Sequence, residues 1–317
     1  MTLQLSGIHH LTAITAQARE NLKFYTEVMG MRLIKRTVNQ DDTSAYHLFY
    51  GDGLASPGAD LTFFDWPVAR ERRGTHSIMR TGLRVRTEDD LAWWKQHLKS
   101  QGIDSGNIKE RFGFPSLEFE DPEGQRFRLV ADPAAAESHP WEKSPVPAER
   151  QILGLGPVTI SVPQLDRTAR VLTEVMNMRE TRTHPARERT GEVHVFSMGE
   201  GGAAAELHVA VEPDLSFAGQ GAGGAHHVAF RTQDKAGLDQ WIRRVTAAGL
   251  RSSGEVERFY FTSLYFREPN GVLFEIATDG PGFAVDEPLE TLGEHLSLPP
   301  FLEPNRAAIE ANLKPID

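Results

Sequence analysis

The chain has 317 residues, of which 39% are hydrophobic and 25% charged, with a formal net charge of −10 at pH 7. This is the composition of a folded protein long enough for two domains, and its negative charge argues against nucleic acid binding, because contacts to phosphates need clustered Lys and Arg. No apolar run approaches the roughly 20 residues of a membrane span. Because the chain has no cysteine and its first residues do not resemble a signal peptide, we expect a cytoplasmic protein without disulfides.

The same order of predicted elements occurs four times along the chain. Each copy opens with a strand, and these strands begin at Gly7, Met79, Gly154 and Ala225. An amphipathic helix with one apolar stripe follows each strand, and the helices are predicted to end at Gly30, Gly102, Asn177 and Gly249. More strands complete each copy, and the closing strands lie in the segments that start at Ser56, Asp121, Gly201 and Glu268.

This repetition predicts an α+β fold of four βαβββ modules that form two partly open β-barrels with the helices outside. Residues 1–140 contain the first pair of modules and residues 150–280 the second pair. A linker rich in proline and charge, near residues 132–150, joins the two pairs. Residues 281–317 form a C-terminal tail.

Two His-His pairs occupy the same place in two modules. His9-His10 lies in the opening strand of module one, and His226-His227 lies in that of module four. Because side chains alternate along a strand, only one histidine of each pair is expected to face the barrel interior. Glu275 lies in the apolar closing strand of module four, where burial of a carboxylate is costly unless a cation compensates it. His10, His227 and Glu275 therefore match the facial triad of non-haem Fe(II) oxygenases, although zinc also accepts two histidines and a glutamate.

The other two modules lack these ligands. In module two, Gly82 and Arg128 are predicted at the places of the second histidine and the glutamate, and in module three Pro157 stands at the place of the first histidine. If the three ligands meet, modules one and four must share the barrel that holds the metal site. The remaining histidines in strand-like segments are interpreted as structural: His47, His194 and His208.

The modules, the His-His strands and the strand glutamate resemble the vicinal oxygen chelate superfamily, which includes glyoxalases and extradiol dioxygenases. More narrowly, the chain is similar to hydroquinone-specific ring-cleaving dioxygenases over nearly its whole length. The similarity includes the segments IHHLTAIT, ERFYFTSLYFREPNGVLFEIATD and LGEHLSLPPFLEPNR. The last of these lies in the tail, where glyoxalases have nothing similar.

The resemblance implies that Fe(II) is bound by the three ligands, with Mn(II) as the alternative ion. It also implies that five further residues lie at the reaction site: His9, Thr12, His226, Arg258 and Tyr265. Tyr265 and His226 are suited to proton transfer, and Arg258 to holding a second hydroxyl or a developing negative charge. A place for His226 beside the substrate conflicts with strand alternation unless the strand is twisted or bulged at its start.

The implied function is an Fe(II)-dependent dioxygenase that inserts O₂ into a hydroquinone- or catechol-type aromatic. The expected partners are thus a small aromatic diol and O₂, and assembly into a homo-oligomer is left open. One alternative is a glyoxalase-like lyase or isomerase, which generally has a fourth protein ligand. In module one Thr62 stands at the place of Glu275, and that missing carboxylate favours oxygen chemistry. The other alternative, a metal-free protein that binds drugs or phenols, has no need of the ligand set.

Overall fold

The computed structural model describes residues 3–135, 138–186 and 191–316. Their strands are β1 Ile8–Thr15, β2 Arg32–Asn39, β3 Asp42–Gly51, β4 Asp60–Asp65, β5 Ser77–Val85, β6 Lys109–Arg111, β7 Phe114–Glu120, β8 Arg126–Ala131, β9 Gly154–Leu155, β10 Val158–Val162, β11 Arg179–Pro185, β12 Glu192–Ser197, β13 Glu206–Val211, β14 Ala225–Thr232, β15 Ser252–Glu257, β16 Phe261–Arg267 and β17 Leu273–Pro281. The helices are α1 Ala18–Lys23, α2 Glu88–Ser100, α3 Asp166–Arg170, α4 Lys235–Ala247 and α5 Arg306–Asn312. Single π-helical turns, Phe24–Val28 and Val171–Val175, extend α1 and α3.

These elements form two curled sheets. The first sheet has the strand order β15-β16-β17-β14-β1-β4-β3-β2, and the second sheet has the order β11-β12-β13-β10-β5-β8-β7-β6, with β9 paired to β5. The predicted α+β fold of four βαβββ modules in two partly open barrels is confirmed. The first sheet contains modules one and four, and the second contains modules two and three, so each half of the chain contributes to both sheets. The division of the chain at residues 140–150 stays a prediction.

The two longest helices pack on the outer faces of the sheets through the predicted apolar stripes. In α2 the fully buried stripe includes Trp94, and in α4 it includes Trp241. The side chains of Thr87 and Asp234 cap the N-termini of these helices, each by accepting a backbone N–H three residues later. The four predicted helix ends all adopt a left-handed backbone conformation. Among the described residues, no helix is long and apolar enough to cross a membrane.

The C-terminal tail packs along the edge of the first sheet. Ser297 donates its backbone N–H to the carbonyl of Arg36 in β2. The fully buried ammonium group of Lys35 contacts the carboxylates of Asp286, at 2.7 Å, and Glu287. Around Val38, an apolar cluster joins β2 to the tail through Leu298, Leu302 and Ile309. The tail therefore covers the strand edge that would otherwise be open.

The pairing of strands corrects one predicted correspondence between modules. Gly82 pairs with Arg128 in the second sheet as Ala229 pairs with Glu275 in the first. Gly82 is thus the counterpart of Ala229, and the counterpart of the second predicted histidine ligand is Arg80, two residues earlier. The predicted correspondence is wrong by two residues because the two opening strands share little sequence beyond their apolar alternation.

Candidate metal centre

Three neighbouring strands of the first sheet bring the predicted ligands together. His10 lies on β1, His227 on β14 and Glu275 on β17, in the order β17-β14-β1. Glu275 Oε2 lies 3.1 Å from His10 Nε2 and 2.8 Å from His227 Nε2. The ligand atoms all lie within 4.8 Å of one another, and all three residues are buried. Within the described ranges, this is the one group of three such side chains arranged to hold a metal ion.

Two β-bulges interrupt the pairing of β1 with β14 at the His-His pairs, and of the four histidines all but His9 line the metal-site cavity. In the antiparallel pairing of β1 with β14, Ile8 pairs with Phe230 and His10 with Ala229, so the register skips His9. The register also skips His226, between the pair that His227 makes with Thr12 and the pair that Ala225 makes with Ala13. Each bulge re-aims one histidine that strict alternation would turn away. The imidazoles of each pair consequently contact each other through their Nδ1 atoms.

The hydrogen bonds of His9 determine which nitrogen of His10 is free. His9 Nε2 lies 3.0 Å from the carbonyl oxygen of Thr278, which only accepts, so this nitrogen carries hydrogen. Burial and the neighbouring His10 lower the pKa of His9 to about 3, so its ring is neutral and its Nδ1 is an acceptor. His10 Nδ1, 2.9 Å away, must therefore be the donor. This arrangement leaves His10 Nε2 with a lone pair that faces Glu275.

A second chain of hydrogen bonds reaches His227. The Thr62 hydroxyl donates its hydrogen to Thr12 Oγ1 over 2.8 Å. Because Thr62 has no second hydrogen, its Oγ1 accepts from His47 Nε2, 3.0 Å away. Thr12 Oγ1 keeps its own hydrogen to donate, and His227 Nε2 lies 3.1 Å from it. In the neutral tautomer of His227 that accepts this hydrogen at Nε2, Nδ1 donates to His226 Nδ1 over 2.7 Å. In these neutral tautomers both ligand histidines present a lone pair on Nε2.

Glu275 completes a set of three electron-pair donors. Ser263 Oγ donates to Glu275 Oε1 over 2.5 Å, whereas Oε2 is fully buried and has no hydrogen-bond partner. A carboxylate oxygen and two imidazole lone pairs that face one another repel unless a cation lies between them. The donor set therefore fits a divalent metal ion bound by two nitrogens and one oxygen.

A cavity of about 340 Å³ opens beside the three ligands. Its aromatic walls include Phe49, Phe64, Trp66 and Phe261. The imidazole of His226 also lines this cavity and lies edge-on to Phe64 and Trp66, with ring centroids 5.5 and 5.6 Å apart. Burial and the neighbouring His227 lower the pKa of His226 to about 3, so its ring is neutral. Flat apolar walls beside a polar metal site suit an aromatic ring that carries hydroxyl groups.

Arg258 and Tyr265 stand together in the wall of the same cavity. Arg258 Nε donates to the Tyr265 hydroxyl over 3.3 Å, and Arg258 Nη2 lies 3.0 Å from Asp41 Oδ2. Burial raises the pKa of Tyr265, so its phenol stays protonated at neutral pH. Although burial lowers the pKa of Arg258, Tyr265 and Asp41 raise it above its usual value. The pair therefore presents a permanent positive charge and a neutral hydroxyl to the cavity.

The structure adds His47 to the residues that sequence reasoning placed at this site. His47 was interpreted as structural, but it lines the cavity and its ring lies 3.9 Å from that of Phe49. Burial lowers its pKa well below the usual range, so the ring is neutral. No His-His pair or repeated motif marks this position in the sequence. The usable signal for a place at the site was its position on β3, which pairs with β4. His194 and His208 lie in the second sheet, away from the metal centre.

Comparisons with known proteins agree with this geometry. The model of the Glyoxalase/Bleomycin resistance protein/Dioxygenase superfamily matches residues 7–129 and 154–276. The chain is 47% identical over 316 residues to the protein named ring-cleaving dioxygenase MhqA of Bacillus subtilis (strain 168). This match covers 99% of this chain and 100% of that protein. The chain is 30% identical to the chlorohydroquinone/hydroquinone 1,2-dioxygenase of Sphingobium indicum, with 95% of this chain and 93% of that protein covered.

A crystal structure of a dioxygenase from Bacillus subtilis superposes with a TM-score of 0.90 at 34% sequence identity. The superposition covers 100% of this chain and 99% of that one. The chain belongs to the Glyoxalase/Bleomycin resistance protein/Dioxygenase superfamily and, within it, to the ring-cleaving dioxygenases.

Proposed function

We propose that this protein is an Fe(II)-dependent, extradiol-type dioxygenase that cleaves the ring of a hydroquinone-type diol. One observation carries the proposal: two imidazole lone pairs and the unpartnered Oε2 of Glu275 converge beside an aromatic-walled cavity. A facial set of two histidines and one carboxylate is the ligand set of non-haem Fe(II) oxygenases. Mn(II), which accepts the same donors, is the alternative ion.

The metal would be held by His10 Nε2, His227 Nε2 and Glu275 Oε2. When bound, it supplies neighbouring positions for a diol oxygen and O₂, together with electron transfer between them. His9 and Ser263 keep two of the ligands oriented through the hydrogen bonds described above. The aromatic walls exclude water and hold the ring of the diol against the metal side of the cavity.

Arg258, Tyr265 and His226 would act on the oxygen atoms of the bound diol. The Arg258 guanidinium stabilises a hydroxyl that has lost its proton, because its charge is permanent. Tyr265 keeps a phenolic hydrogen to donate and a lone pair to accept, so it can carry a proton at its Oη atom. In the tautomer in which His227 Nδ1 donates to His226 Nδ1, His226 has hydrogen on its own Nε2 to donate to an oxygen in the cavity.

Two observations support a para-diol over an ortho-diol. The Sphingobium indicum relative is named for chlorohydroquinone and hydroquinone. In this chain the cavity wall also contains Arg258, a fixed positive charge beyond the metal ligands that suits a second hydroxyl. The ring substituents that the cavity accepts, the cytoplasmic location and assembly into a homo-oligomer stay predictions.

The test is oxygen uptake by protein loaded with Fe(II) under anaerobic conditions and supplied with 2-methylhydroquinone or, separately, catechol. We expect faster uptake with 2-methylhydroquinone, a ring-opened acid as product, and loss of both in Glu275→Gln. Faster uptake with catechol would reverse the diol preference. A tightly bound metal without oxygen uptake would instead indicate a lyase or isomerase, and the absence of metal binding would indicate a binding protein.

A further inference from the structure

The second sheet encloses a cavity of about 330 Å³ at the place that corresponds to the metal-site cavity. The strand registers place Arg128 where the first sheet has its glutamate and Arg80 where it has its second histidine. Pro157 replaces the first histidine. This cavity therefore has the location and nearly the volume of the metal-site cavity but none of its metal ligands.

Positive charge is concentrated on one wall of this second cavity. Arg128 Nε and Nη2 donate to Glu118 Oε1 over 2.9 and 2.7 Å, and Arg80 Nε lies 3.6 Å from the same oxygen. Burial raises the pKa of Glu118, but Arg80, Arg128 and Arg111 outweigh that effect and lower the pKa. Two guanidinium groups, those of Arg80 and Arg128, thus share one carboxylate, which leaves excess positive charge beside the cavity.

The other carboxylates of the wall do not cancel this excess. Glu120 contacts Arg73 at 2.6 Å, and Glu212 accepts a hydrogen bond from the Ser161 hydroxyl at 2.6 Å. Glu110 is exposed to solvent. Arg73 neutralises Glu120 and water screens Glu110, whereas Glu212 keeps its charge because a hydroxyl does not neutralise it. Arg80 and Arg128 share the single carboxylate of Glu118, so the wall next to them keeps a local excess of positive charge.

Polar atoms without partners also line this cavity. Thr159, only 3% exposed, has no hydrogen-bond partner for its hydroxyl, and the buried Nε2 of His184 has none either. Arg128, 6% exposed, makes no hydrogen bond through Nη1 to the described residues. Buried polar atoms without partners cost free energy, so the Thr159 hydroxyl and His184 Nε2 on one cavity wall indicate a polar ligand.

Apolar side chains also line the cavity. The Phe112 ring lies against the Arg128 guanidinium, 4.8 Å from ring centroid to Cζ, and its backbone has a φ of +54°. A phenylalanine rarely adopts this left-handed conformation, so the fold holds the ring over the arginine at some cost. Three further apolar side chains line the cavity: Met79, Val193 and Leu215.

We propose that the second cavity binds a small aromatic carboxylate. The carboxylate group would lie between Arg80 and Arg128 and accept the Thr159 hydroxyl, and the aromatic ring would pack against Phe112 and Val193. Guanidinium groups recognise carboxylates through paired N–H donors, and a ring next to an arginine adds a favourable stacking contact. This site is separate from the metal centre and does not depend on the proposed reaction.

The test is isothermal titration of benzoate into the metal-loaded protein, with benzamide as the neutral ligand of the same shape. We expect one saturable site for benzoate and at least about tenfold weaker binding of benzamide. Arg80→Gln should weaken benzoate binding by about tenfold or more, and Thr159→Val should weaken it by a smaller factor. Arg80 is partly exposed and its Nη1 donates only to the carbonyl of Phe127, so this variant should stay folded.

Two controls separate this site from the metal centre. Glu275→Gln should leave benzoate binding unchanged, whereas Arg80→Gln should leave oxygen uptake unchanged. Three results would overturn the proposal: no saturable benzoate binding, equal affinity for benzamide, or benzoate binding that is lost in Glu275→Gln and kept in Arg80→Gln. The last result would assign benzoate to the metal centre.

Discussion

The two sheets of this protein have the same module order and nearly the same strand registers, yet their cavities differ in chemistry. The cavities are similar in volume, about 340 and 330 Å³. One contains two histidines and a glutamate whose free electron pairs face one another, and the other contains arginines that surround a glutamate. Because the apolar side of each strand specifies the barrel, a few inward-facing positions are free to set the chemistry.

The comparison also shows two ways to bury a carboxylate. Glu118 in the second sheet is neutralised by protein groups, since Arg128 donates to it directly. Glu275 in the first sheet has neutral imidazoles as neighbours and keeps an oxygen without a hydrogen bond. The arrangement around Glu118 is stable by itself, whereas that around Glu275 depends on an added cation.

The largest expected effect follows from removing the negative charge of Glu275 in the first sheet. Glu275→Gln should reduce metal affinity and oxygen uptake by more than about a hundredfold. Replacing a residue that only orients a ligand already lowers metal affinity or activity by about 10–100-fold. Metal content after dialysis, measured by mass spectrometry, checks this expectation. The matched control is Glu206→Gln in the second sheet, a buried carboxylate 3.0 Å from His208 Nε2 that should keep full metal content. Equal metal content in both variants would refute the assigned ligand set.

Breaking the charge pair in the second sheet should destabilise the fold instead. Arg128→Met leaves Glu118 partly buried without its direct partner, which costs about 3–5 kcal/mol of unfolding free energy. The double variant Arg128→Met/Glu118→Leu removes both charges and should recover most of that loss. Urea unfolding of the three proteins measures the difference. If the double variant is as unstable as the single one, the unpaired carboxylate is not the cause.

A buried aspartate in the turn between β7 and β8 should make stability depend on pH. Asp121 accepts a hydrogen bond from Tyr25 Oη over 2.8 Å, and burial raises its pKa from 3.8 to about 6. The folded state therefore holds the proton more tightly than the unfolded state. This contribution is fully present below about pH 4 and is lost as the pH rises through 6.

Comparison with Asp121→Asn isolates this contribution from that of other carboxyl groups. Between pH 4 and pH 7 the wild-type protein should lose roughly 2–3 kcal/mol of unfolding free energy relative to the variant. Urea unfolding at several pH values gives the two curves. Parallel curves would show that Asp121 titrates alike in the folded and unfolded states.

Much of this architecture could be predicted from the sequence because it repeats. The apolar stripe of each helix and the left-handed residue that ends it recur in four copies, so the module order and the helix ends followed from local physics. The two His-His pairs and the strand glutamate also indicated the ligand set, since each pair stands at the same place in its module. Repetition thus revealed the elements that every module needs for folding.

Features set by the pairing of distant strands were harder to predict. The bulges that skip His9 and His226 depend on how β1 meets β14 across the molecule, and the sequence of either strand alone favours strict alternation. The same long-range pairing placed His47 in the cavity wall and made Arg80 the counterpart of a histidine ligand. Register across sheets is set by tertiary packing, which no local pattern records.

The smallest expected effect tests what the bulge at His9 contributes. His9 accepts the Nδ1 hydrogen of His10, so His9→Leu should weaken metal binding by about 10–100-fold, the usual cost of losing a group that orients a ligand. His9→Gln offers an amide oxygen as the acceptor and should recover part of that loss. Metal affinity from competition with a chelator measures both variants. Because a merely structural role depends on the volume of the side chain, equal losses in the leucine and glutamine variants would contradict the proposed hydrogen-bond role. A smaller loss in the glutamine variant would mean that the side chain at this place in the first sheet contributes a hydrogen bond, which Gly156 at the corresponding place in the second sheet cannot provide.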